Sequence, residues 1–268
     1  MGEPLVSVDL LRPILSRRPL ALASDIDGTL APIVPRPEEA AITPACRKAL
    51  QQLMARGVIV LLLTGRHLEE ARRMVGLDDV VYAANHGLTV WIDGREETPP
   101  QVREYQEWAR RVLGEVGAIS VPGMFVEDKG PVLAFHYRRA ADEAAARAAI
   151  LSALTASRAA GRFQVHEGRK VIELRPPVGI DKGSTLRSLA QRLSLRAIVC
   201  LGDDVTDVDM FRAVAHMRPE GRVGVTIAVA SAEATPQVMA AADYSVDGVP
   251  GVEWLLGEIV RALPATPP

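Results

Sequence analysis

Residues 20–29 of this 268-residue chain read Leu-Ala-Leu-Ala-Ser-Asp-Ile-Asp-Gly-Thr, and this segment indicates the fold most clearly. The apolar run ends abruptly at two acids, Asp25 and Asp27. Three other apolar runs are also short and continuous; they cover residues 58–63, 80–84 and 197–201, and we expect residues 223–230 to join them as a further strand. Continuous apolar runs are typical of strands that are buried on both faces of a sheet. Helical patterns lie between these runs, so we predict an α/β fold with a parallel sheet flanked by helices.

The strand–helix alternation breaks after residues 91–94, and we interpret residues 96–100 as a linker. The following segment predicts a small α+β unit, with helices at 102–113 and 140–160 and strands at 124–126, 132–137, 163–166 and 170–174. Pro and Gly residues at 176–179 then mark the return to the first domain. We therefore predict a discontinuous core, residues 1–100 and 179–268, and an inserted smaller α+β domain, residues 101–178.

Composition and charge exclude several classes of partner. Lys and Arg (31) nearly balance Asp and Glu (33), and the formal net charge of -2 is not concentrated in a basic or acidic block. We therefore expect no nucleic-acid partner and no membrane. The longest purely apolar run, residues 58–63, is far shorter than the roughly 20 residues of a membrane span. Cys46 and Cys200 form no C-x-x-C pair, which argues against a disulfide framework or a zinc site and favours a reducing, cytoplasmic location.

Polar clusters follow the apolar runs, at residues 25–29, 64–66, 85–87 and 202–207. The carboxyl ends of parallel strands lie at one edge of a sheet, where ligands bind. Asp25, Asp27, Asp203 and Asp204 would then share one pocket. Two carboxylates about 4 Å apart repel by ~1 kcal/mol in water and ~4 kcal/mol at a protein-like dielectric. Oxygen ligands without a matching His or Cys favour a hard cation, and Mg²⁺ suits a site that also binds phosphate.

The Asp-x-Asp pair predicts a specific chemistry, although two such acids can also cap a helix or form an Asx-turn. Asp25 ends a buried strand and Gly28 permits a sharp turn, which places Asp25 as an in-line nucleophile with Asp27 within proton-transfer reach. Thr64 and Lys182 are candidate donors to phosphoryl oxygens. Lys182 is one of four lysines in a chain that otherwise uses arginine as its cation, although it could also be a solvated residue at a helix start.

For two other polar residues the sequence allows either a functional or a structural role. His86 would either orient a ligand or serve as a turn residue at a strand end. Arg66, next to Gly65, would either reach phosphate or sugar or form a salt bridge at a helix start. In the inserted domain, we expect His136 to contribute to packing and Arg175 to hold the domain junction.

Four motifs together resemble those of the haloacid dehalogenase superfamily of aspartate-nucleophile phosphatases. They are D-I-D-G-T at 25–29, T-G-R at 64–66, Lys182, and G-D-D-V-T-D at 202–207, in the superfamily's order. The inserted domain lies between the second and third motifs, where the type-2 caps of that superfamily lie. The resemblance implies a Rossmann-like core, a cap that selects the substrate, bound Mg²⁺ and an aspartyl-phosphate intermediate.

Within that superfamily the chain resembles the trehalose-6-phosphate phosphatases. The segments concerned are D-I-D-G-T-L-A-P-I at 25–33, Y-A-A-N-H-G at 82–87, V-E-D-K-G at 126–130, H-Y-R at 136–138 and G-R-K-V-I-E-L-R-P at 168–176. The resemblance implies that Glu127, Lys129 and Glu173 of the cap bind sugar hydroxyls. Two positions depart from the family pattern: Val208 stands where Glu is usual, and Thr64 stands where Ser is commoner.

The resemblance implies hydrolysis of trehalose 6-phosphate to trehalose and phosphate. Asp25 would attack phosphorus, Asp27 would protonate the leaving sugar and then activate water, and Thr64 and Lys182 would neutralise the phosphoryl group. Gly65, Arg66 and His86 are expected to contact the substrate. The expected metal ligands are Asp25, the main-chain carbonyl of Asp27 and Asp203, with Asp204 and Asp207 as further acids.

The residues leave other functions open. A phosphatase of the same architecture could act on sucrose 6-phosphate or mannosyl-3-phosphoglycerate. The chain could also be a phosphosugar sensor without catalysis, or a phosphomutase, which needs a second phosphate-binding group in the cap. We expect a monomer that acts on a small sugar phosphate and has a functional link to a trehalose-phosphate synthase.

Overall fold

The computed structural model describes residues 2–116, 121–168, 170–231 and 235–264. The described residues fall into two compact units, Met1–Glu97 with Asp181–Pro268, and Thr98–Ile180. The boundaries predicted for the inserted domain, 101 and 178, differ from the ends of the second unit by three residues or fewer. Arg169 of the motif at 168–176 and residues 265–268 lie outside the described residues.

Strands and helices alternate along most of the chain. In chain order the strands are β1 (Glu3–Pro4), β2 (Leu20–Ser24), β3 (Val58–Leu63), β4 (Val81–Ala84), β5 (Thr89–Ile92), β6 (Arg95–Glu97), β7 (Phe125–Asp128), β8 (Leu133–His136), β9 (Gln164–Gly168), β10 (Val171–Arg175), β11 (Ala197–Gly202), β12 (Val223–Ala230) and β13 (Tyr244–Asp247). The helices are α1 (Arg12–Leu15), α2 (Pro44–Met54), α3 (Leu68–Val75), α4 (Pro100–Val116), α5 (Glu143–Ala156), α6 (Lys182–Arg192), α7 (Val208–Met217), α8 (Pro236–Ala241) and α9 (Gly248–Ala262).

The described residues of the larger unit form a nine-stranded sheet in the order β1-β13-β12-β11-β2-β3-β4-β5-β6. All neighbouring pairs from β1 to β4 in this order are parallel, as predicted. The carboxyl ends of β2, β3, β4 and β11 therefore lie at the same edge of the sheet. The polar clusters of the sequence follow these four strands.

The sheet continues beyond β4 as an antiparallel hairpin, so the prediction of a break and a linker at this point was wrong in part. Asp93 and Gly94 form the two-residue turn between β5 and β6, with positive φ angles of 54° and 73°. Asp-Gly is a favoured pair for such turns because both positions require the left-handed conformation. The segment interpreted as a linker, residues 96–100, contains the end of β6 and the first residue of α4.

Both faces of the large sheet are buried, which explains why its apolar runs are continuous. Leu20 and Leu22 of β2 belong to a hydrophobic cluster with residues of α2, α3 and α9. Ala21 and Ala23 point to the opposite face and pack with residues of α6, α7 and α8. Helices therefore cover the sheet on both sides, as the α/β prediction requires.

The smaller unit consists of a four-stranded antiparallel sheet, β7-β8-β10-β9, and helices α4 and α5. Leu133 and Phe135 of β8 pack with residues of β10 and both helices in a separate hydrophobic core. Alternate residues of a strand face opposite sides of a sheet. The other face, called the polar face below, carries Phe125, Glu127, His136, Glu173 and Arg175.

The described residues include no helix that is both long enough and apolar enough to cross a bilayer.

Candidate active site

Asp25 lies directly after β2 at the carboxyl edge of the large sheet. Its backbone amide donates a hydrogen bond to the carbonyl of Leu201 in β11 at 3.1 Å, so the pairing of these two strands continues one step beyond β2. The residue is 6% exposed. The main chain that carries this carboxylate is thus fixed at the strand end, and the residue has little contact with solvent.

Lys182 is the cation next to Asp25. It is the first residue of α6, and the reciprocal hydrogen bonds of Asp181 and Ser184 form a capping box that fixes this helix start. Its Nζ donates to Oδ1 of Asp25 at 2.8 Å and to Oδ1 of Asp207 at 2.7 Å. The side chain is 3% exposed. The alternative of a solvated lysine at a helix start is therefore wrong.

Asp203 follows β11 and lies against the turn after Asp25. Thr29 donates its hydroxyl to Oδ1 of Asp203 at 3.1 Å. Gly28 adopts a φ of +78°, and a Cβ built there would lie 2.1 Å from Oδ2 of Asp203. Glycine at this position therefore serves both the left-handed turn and the close approach of the Asp203 carboxylate.

Among the described residues, the carboxylates of Asp25, Asp203 and Asp207 form one group in which the candidate ligand oxygens lie within 4.8 Å of one another. Oδ2 of Asp207 accepts hydrogen bonds from the backbone amides of Asp203 at 2.9 Å and Asp204 at 3.0 Å. Both carboxylate oxygens of Asp207 thus accept hydrogen bonds, Oδ1 from Lys182 and Oδ2 from the two backbone amides. The carboxylate of Asp204 lies outside the group and accepts from the amide of Val205 at 2.7 Å.

The electrostatics of this group suit a divalent cation. Burial raises the pKa of Asp25 well above its ordinary value, against the opposing effect of Lys182, and Asp207 and Asp203 raise it further. Burial and the nearby Asp207 raise the pKa of Asp203 to about 7. Burial disfavours the ammonium of Lys182, but Asp207 and Asp25 outweigh this and raise its pKa. Three buried carboxylates around one ammonium leave negative charge that a hard, oxygen-preferring metal ion would compensate.

Asp27 points its carboxylate to Arg66 instead of to this acidic group. Nε of Arg66 donates to Oδ2 of Asp27 at 2.7 Å, and Nη2 donates to Oδ1 at 2.7 Å. Arg66 also lies 3.8 Å from Glu70 of α3. The structure therefore places Arg66 in a salt bridge, one of the two roles left open by the sequence, but its partner is the predicted acid–base residue.

Thr64, Gly65 and His86 lie where the loops after β3 and β4 meet. The amide of His86 donates to the carbonyl of Thr64 at 2.8 Å, and the hydroxyl of Thr64 accepts from the amide of Arg66 at 3.1 Å. A Cβ at Gly65 would lie 2.6 Å from Cε1 of His86, so only glycine leaves room for this imidazole. His86 itself has a φ of +59°. His86 is therefore at least a turn residue, and it lies beside the predicted phosphate-binding loop.

The predicted sugar-binding residues Glu127, Lys129 and Glu173 lie together in the smaller unit. Nζ of Lys129 donates to Oε1 of Glu173 at 3.2 Å and lies 3.7 Å from Oε2 of Glu127. Burial disfavours the charged form of Glu127, but the hydrogen bond from His136 and the nearby Lys129 outweigh it and lower its pKa. These residues form a charged network on the polar face.

Two residues that the sequence analysis assigned to packing and to the domain junction belong to this network. Nε2 of His136 lies 2.8 Å from Oε2 of Glu127. Arg175 donates through Nε to Oε2 of Glu173 at 2.9 Å. The alternation of side chains along a strand could have predicted that His136 lies outside the core. Its neighbours Phe135 and Tyr137 are buried, and a residue between them faces the opposite side of the sheet.

Comparisons with known proteins agree on one family. The family model described as trehalose-phosphatase matches residues 23–250. The trehalose-phosphate phosphatase of Mycobacterium leprae is 34% identical over 234 residues, which is 81% of this chain and 52% of that protein. The trehalose-phosphate phosphatase of Mycobacterium marinum is 38% identical over 207 residues, 72% of this chain and 51% of that protein. This chain thus spans about half the length of these curated relatives.

Solved structures show the same fold. The C-terminal domain of the Candida albicans trehalose-6-phosphate phosphatase superposes with a TM-score of 0.77 at 22% identity, over 97% of this chain and 98% of that chain. A trehalose-6-phosphate phosphatase related protein gives a TM-score of 0.74 at 24% identity, over 90% and 97%. The fold, the order of the motifs and the extent of the family match together show that this chain belongs to the trehalose-phosphatase family, with a haloacid dehalogenase-like fold.

Proposed function

We propose that this chain hydrolyses trehalose 6-phosphate to trehalose and inorganic phosphate through an aspartyl-phosphate. The observation that carries the proposal is the contact between Asp25 and Lys182, 2.8 Å apart at the carboxyl edge of the sheet. A buried carboxylate beside a buried ammonium can attack phosphorus while the ammonium offsets the charge of the phosphoryl group. Membership of the trehalose-phosphatase family supports the choice of substrate.

In the first half of the reaction, an oxygen of Asp25 attacks phosphorus and the bond from phosphorus to the sugar oxygen breaks. Asp27 transfers its proton to that oxygen, and trehalose leaves as a neutral alcohol. In the second half, Asp27 takes a proton from water, the water oxygen attacks phosphorus, and the bond between phosphorus and Asp25 breaks. Asp25 is restored as a carboxylate and Asp27 as an acid.

Two groups bind the phosphoryl oxygens in this proposal. Lys182 supplies an ammonium, and Thr64 supplies a hydroxyl from the loop after β3. Gly65 and His86 contact the substrate beside that loop, with the His86 ring against the Gly65 backbone. Arg66 lies in the same loop and also contacts the substrate in this proposal. Its contact with Asp27 additionally orients the acid–base carboxyl group.

We propose Mg²⁺ as the cofactor, held by Asp25, the main-chain carbonyl of Asp27 and Asp203, with Asp204 nearby. When bound, the ion would act as a Lewis acid on the phosphoryl oxygens. Asp207 has a supporting task, because its oxygens already accept from Lys182 and from two backbone amides. It fixes Lys182 and the backbone that carries Asp203.

The smaller unit selects the sugar in this proposal. Glu127 and Glu173 provide acceptors for sugar hydroxyls and Lys129 provides a donor. We further propose a monomer with a functional link to a trehalose-phosphate synthase, acting in the cytoplasm. The two cysteines, which are buried thiols, are compatible with a reducing compartment.

Phosphate release from the purified chain tests the proposal. The substrates are trehalose 6-phosphate, glucose 6-phosphate, sucrose 6-phosphate and mannosyl-3-phosphoglycerate, each with Mg²⁺ and with chelator, for the wild type and Asp25→Asn. Mg²⁺-dependent release from trehalose 6-phosphate alone, lost in Asp25→Asn, is the expected result. Preference for another substrate would keep the mechanism and change the substrate, whereas binding without turnover would identify a sensor. Isomerisation without phosphate release would identify a mutase.

A further inference from the structure

The polar face of the smaller unit contains an aromatic pair next to the predicted sugar-binding acids. Phe125 and His136 are directly opposite each other on β7 and β8. Their rings stack with centroids 4.4 Å apart and an interplanar angle of 9°. Phe125 is 46% exposed, an unusual position for a phenyl ring in a unit with a core of its own. The stack restricts the plane in which the imidazole of His136 lies.

The orientation of the imidazole determines the orientation of Glu127. Glu127 lies two residues beyond Phe125 on the same strand face, which makes it a diagonal neighbour of His136. Nε2 of His136 contacts Oε2 of Glu127 at 2.8 Å, with side-chain exposures of 23% and 27%. Lys129 lies 3.7 Å from that same Oε2. Both contacts are thus with Oε2 of Glu127, the oxygen that faces His136 and Lys129.

We propose that His136, with its ring plane fixed by Phe125, is a positioning residue that holds Glu127 so that Oε1 accepts a hydroxyl of the non-phosphorylated sugar. The inference rests on the proposed function and assigns this pair to its substrate specificity. A glutamate side chain has rotational freedom that it must lose before it can bind a hydroxyl in one direction. The contact with His136 removes that freedom before the substrate arrives, which lowers the free-energy cost of binding.

The alternative is that Phe125 and His136 merely stabilise the small sheet. The two roles differ in which substrates they affect. A positioning role acts only on substrates whose second sugar reaches Glu127, and it acts only while Glu127 is present. A structural role affects the turnover of all substrates and adds to the effect of removing Glu127.

The test is a double-mutant cycle on the full chain with His136→Ala, Glu127→Ala and the combination of both. Two substrates are compared, trehalose 6-phosphate and 4-nitrophenyl phosphate, which has no sugar. His136→Ala is expected to raise KM for trehalose 6-phosphate about tenfold and to leave kcat/KM for the aryl phosphate within about twofold. The combined variant is expected to be no worse than Glu127→Ala alone.

Two further variants and a control separate orientation from stability. His136→Gln keeps a donor that can reach Glu127, so it should recover part of the loss seen in His136→Ala. Phe125→Leu should give a smaller rise in KM of the same kind, because the imidazole loses its stacking partner. Val126→Ala alters the neighbouring residue of the same strand, on the opposite face, and should leave KM unchanged. Melting temperatures measured for all variants show whether the smaller unit still folds.

Four results would overturn the positioning role of His136. Additive effects of His136→Ala and Glu127→Ala, or equal losses with both substrates, would overturn the positioning role and leave the proposed function intact. If Glu127→Ala itself leaves KM for trehalose 6-phosphate unchanged, both the positioning role and the sugar-binding part of the proposed function are wrong. If the wild type releases no phosphate from trehalose 6-phosphate, the proposed function fails first and the inference fails with it.

Discussion

Both carboxylate oxygens of Asp27 are held by the guanidinium of Arg66, at 2.7 Å each. The guanidinium presents its donors in a fixed planar fork, so two parallel hydrogen bonds orient a carboxyl group in a way that a single contact cannot. The side chain of Arg66 is 14% exposed and that of Asp27 is 33% exposed. The proposed acid–base residue thus has a defined direction next to Asp25.

This relationship predicts a dependence on the leaving group. Asp27→Asn should lower kcat/KM for trehalose 6-phosphate by about 10²- to 10⁴-fold, because a sugar alkoxide needs a proton to leave. 4-Nitrophenyl phosphate has a good leaving group and should lose far less. Arg66→Lys should show the same pattern with a loss of about tenfold, because an ammonium cannot make the paired contact.

Arg73→Gln is the matched control for charge, since it removes an arginine of α3 whose side chain is 60% exposed. Its kcat/KM should equal that of the wild type with both substrates. If Arg66→Lys lowers turnover of the sugar and aryl phosphates equally, Arg66 binds phosphate and does not act through Asp27.

The turn after Asp25 predicts a strong difference between two glycine substitutions. Gly28 and Gly57 both have positive φ angles, +78° and +73°, but a Cβ at Gly28 meets the Asp203 carboxylate and one at Gly57 meets nothing within 4 Å. Both alanine variants should therefore lose roughly 1–2 kcal/mol of stability from the left-handed conformation. Only Gly28→Ala should also lose turnover, by about 100-fold or more, because Asp203 is displaced.

Urea unfolding and phosphate release measured on both variants check this prediction. Similar activities for Gly28→Ala and Gly57→Ala would show that the position of the Asp203 carboxylate is unimportant for the reaction.

The buried charges predict a large effect of Lys182 on stability. Lys182→Met leaves the carboxylates of Asp25 and Asp207 without their ammonium, and breaking a buried ion pair in this way costs about 3–5 kcal/mol. Adding Asp207→Asn should recover part of that loss, because one buried negative charge disappears. Lys48→Met removes an exposed lysine and should change the free energy of unfolding little. Denaturant unfolding is the measurement, and full additivity of Lys182→Met and Asp207→Asn would contradict the account.

The network of the smaller unit predicts a pH dependence of stability. The pKa of Glu127 in the folded chain is below its ordinary value of 4.5, since His136 and Lys129 outweigh the opposing effect of burial. Ionised Glu127 therefore stabilises the folded state above the unfolded pKa, and this contribution disappears as pH falls through the lower folded pKa. The melting temperature of the wild type should exceed that of Glu127→Gln most at neutral pH, and the difference should shrink below about pH 4. A difference that stays constant with pH would show that the charge of Glu127 contributes nothing.

Much of the core could be predicted from the sequence because its signals are local. The apolar runs at 20–23 and 58–63 predicted strands, and Asp25, which follows the first of these runs, lies next to Lys182 at the start of α6. The antiparallel hairpin was missed although Asp93-Gly94 is a turn signal, since the pattern was interpreted as a domain boundary. Val208, the departure from the family pattern, is buried in the core at the start of α7.

Side-chain partners could not be predicted in the same way, because they depend on where separate elements meet. Asp207 was grouped with the metal ligands, yet the approach of α6 gives it Lys182 as a partner. Arg66 was left between two roles, because its contact with Asp27 joins residues 39 positions apart. The link between His136 and Glu127 likewise requires the register of β7 with β8.

Asp25 forms a covalent bond to the phosphoryl group in the proposed mechanism, and mass spectrometry can detect that bond. The enzyme is mixed with trehalose 6-phosphate and Mg²⁺, quenched in acid and digested, and the peptide that contains Asp25 is weighed by mass spectrometry. We predict a phosphoryl adduct on Asp25 in the wild type and none in Asp25→Asn. Phosphate release without any adduct, together with turnover that survives Asp25→Asn, would contradict the account.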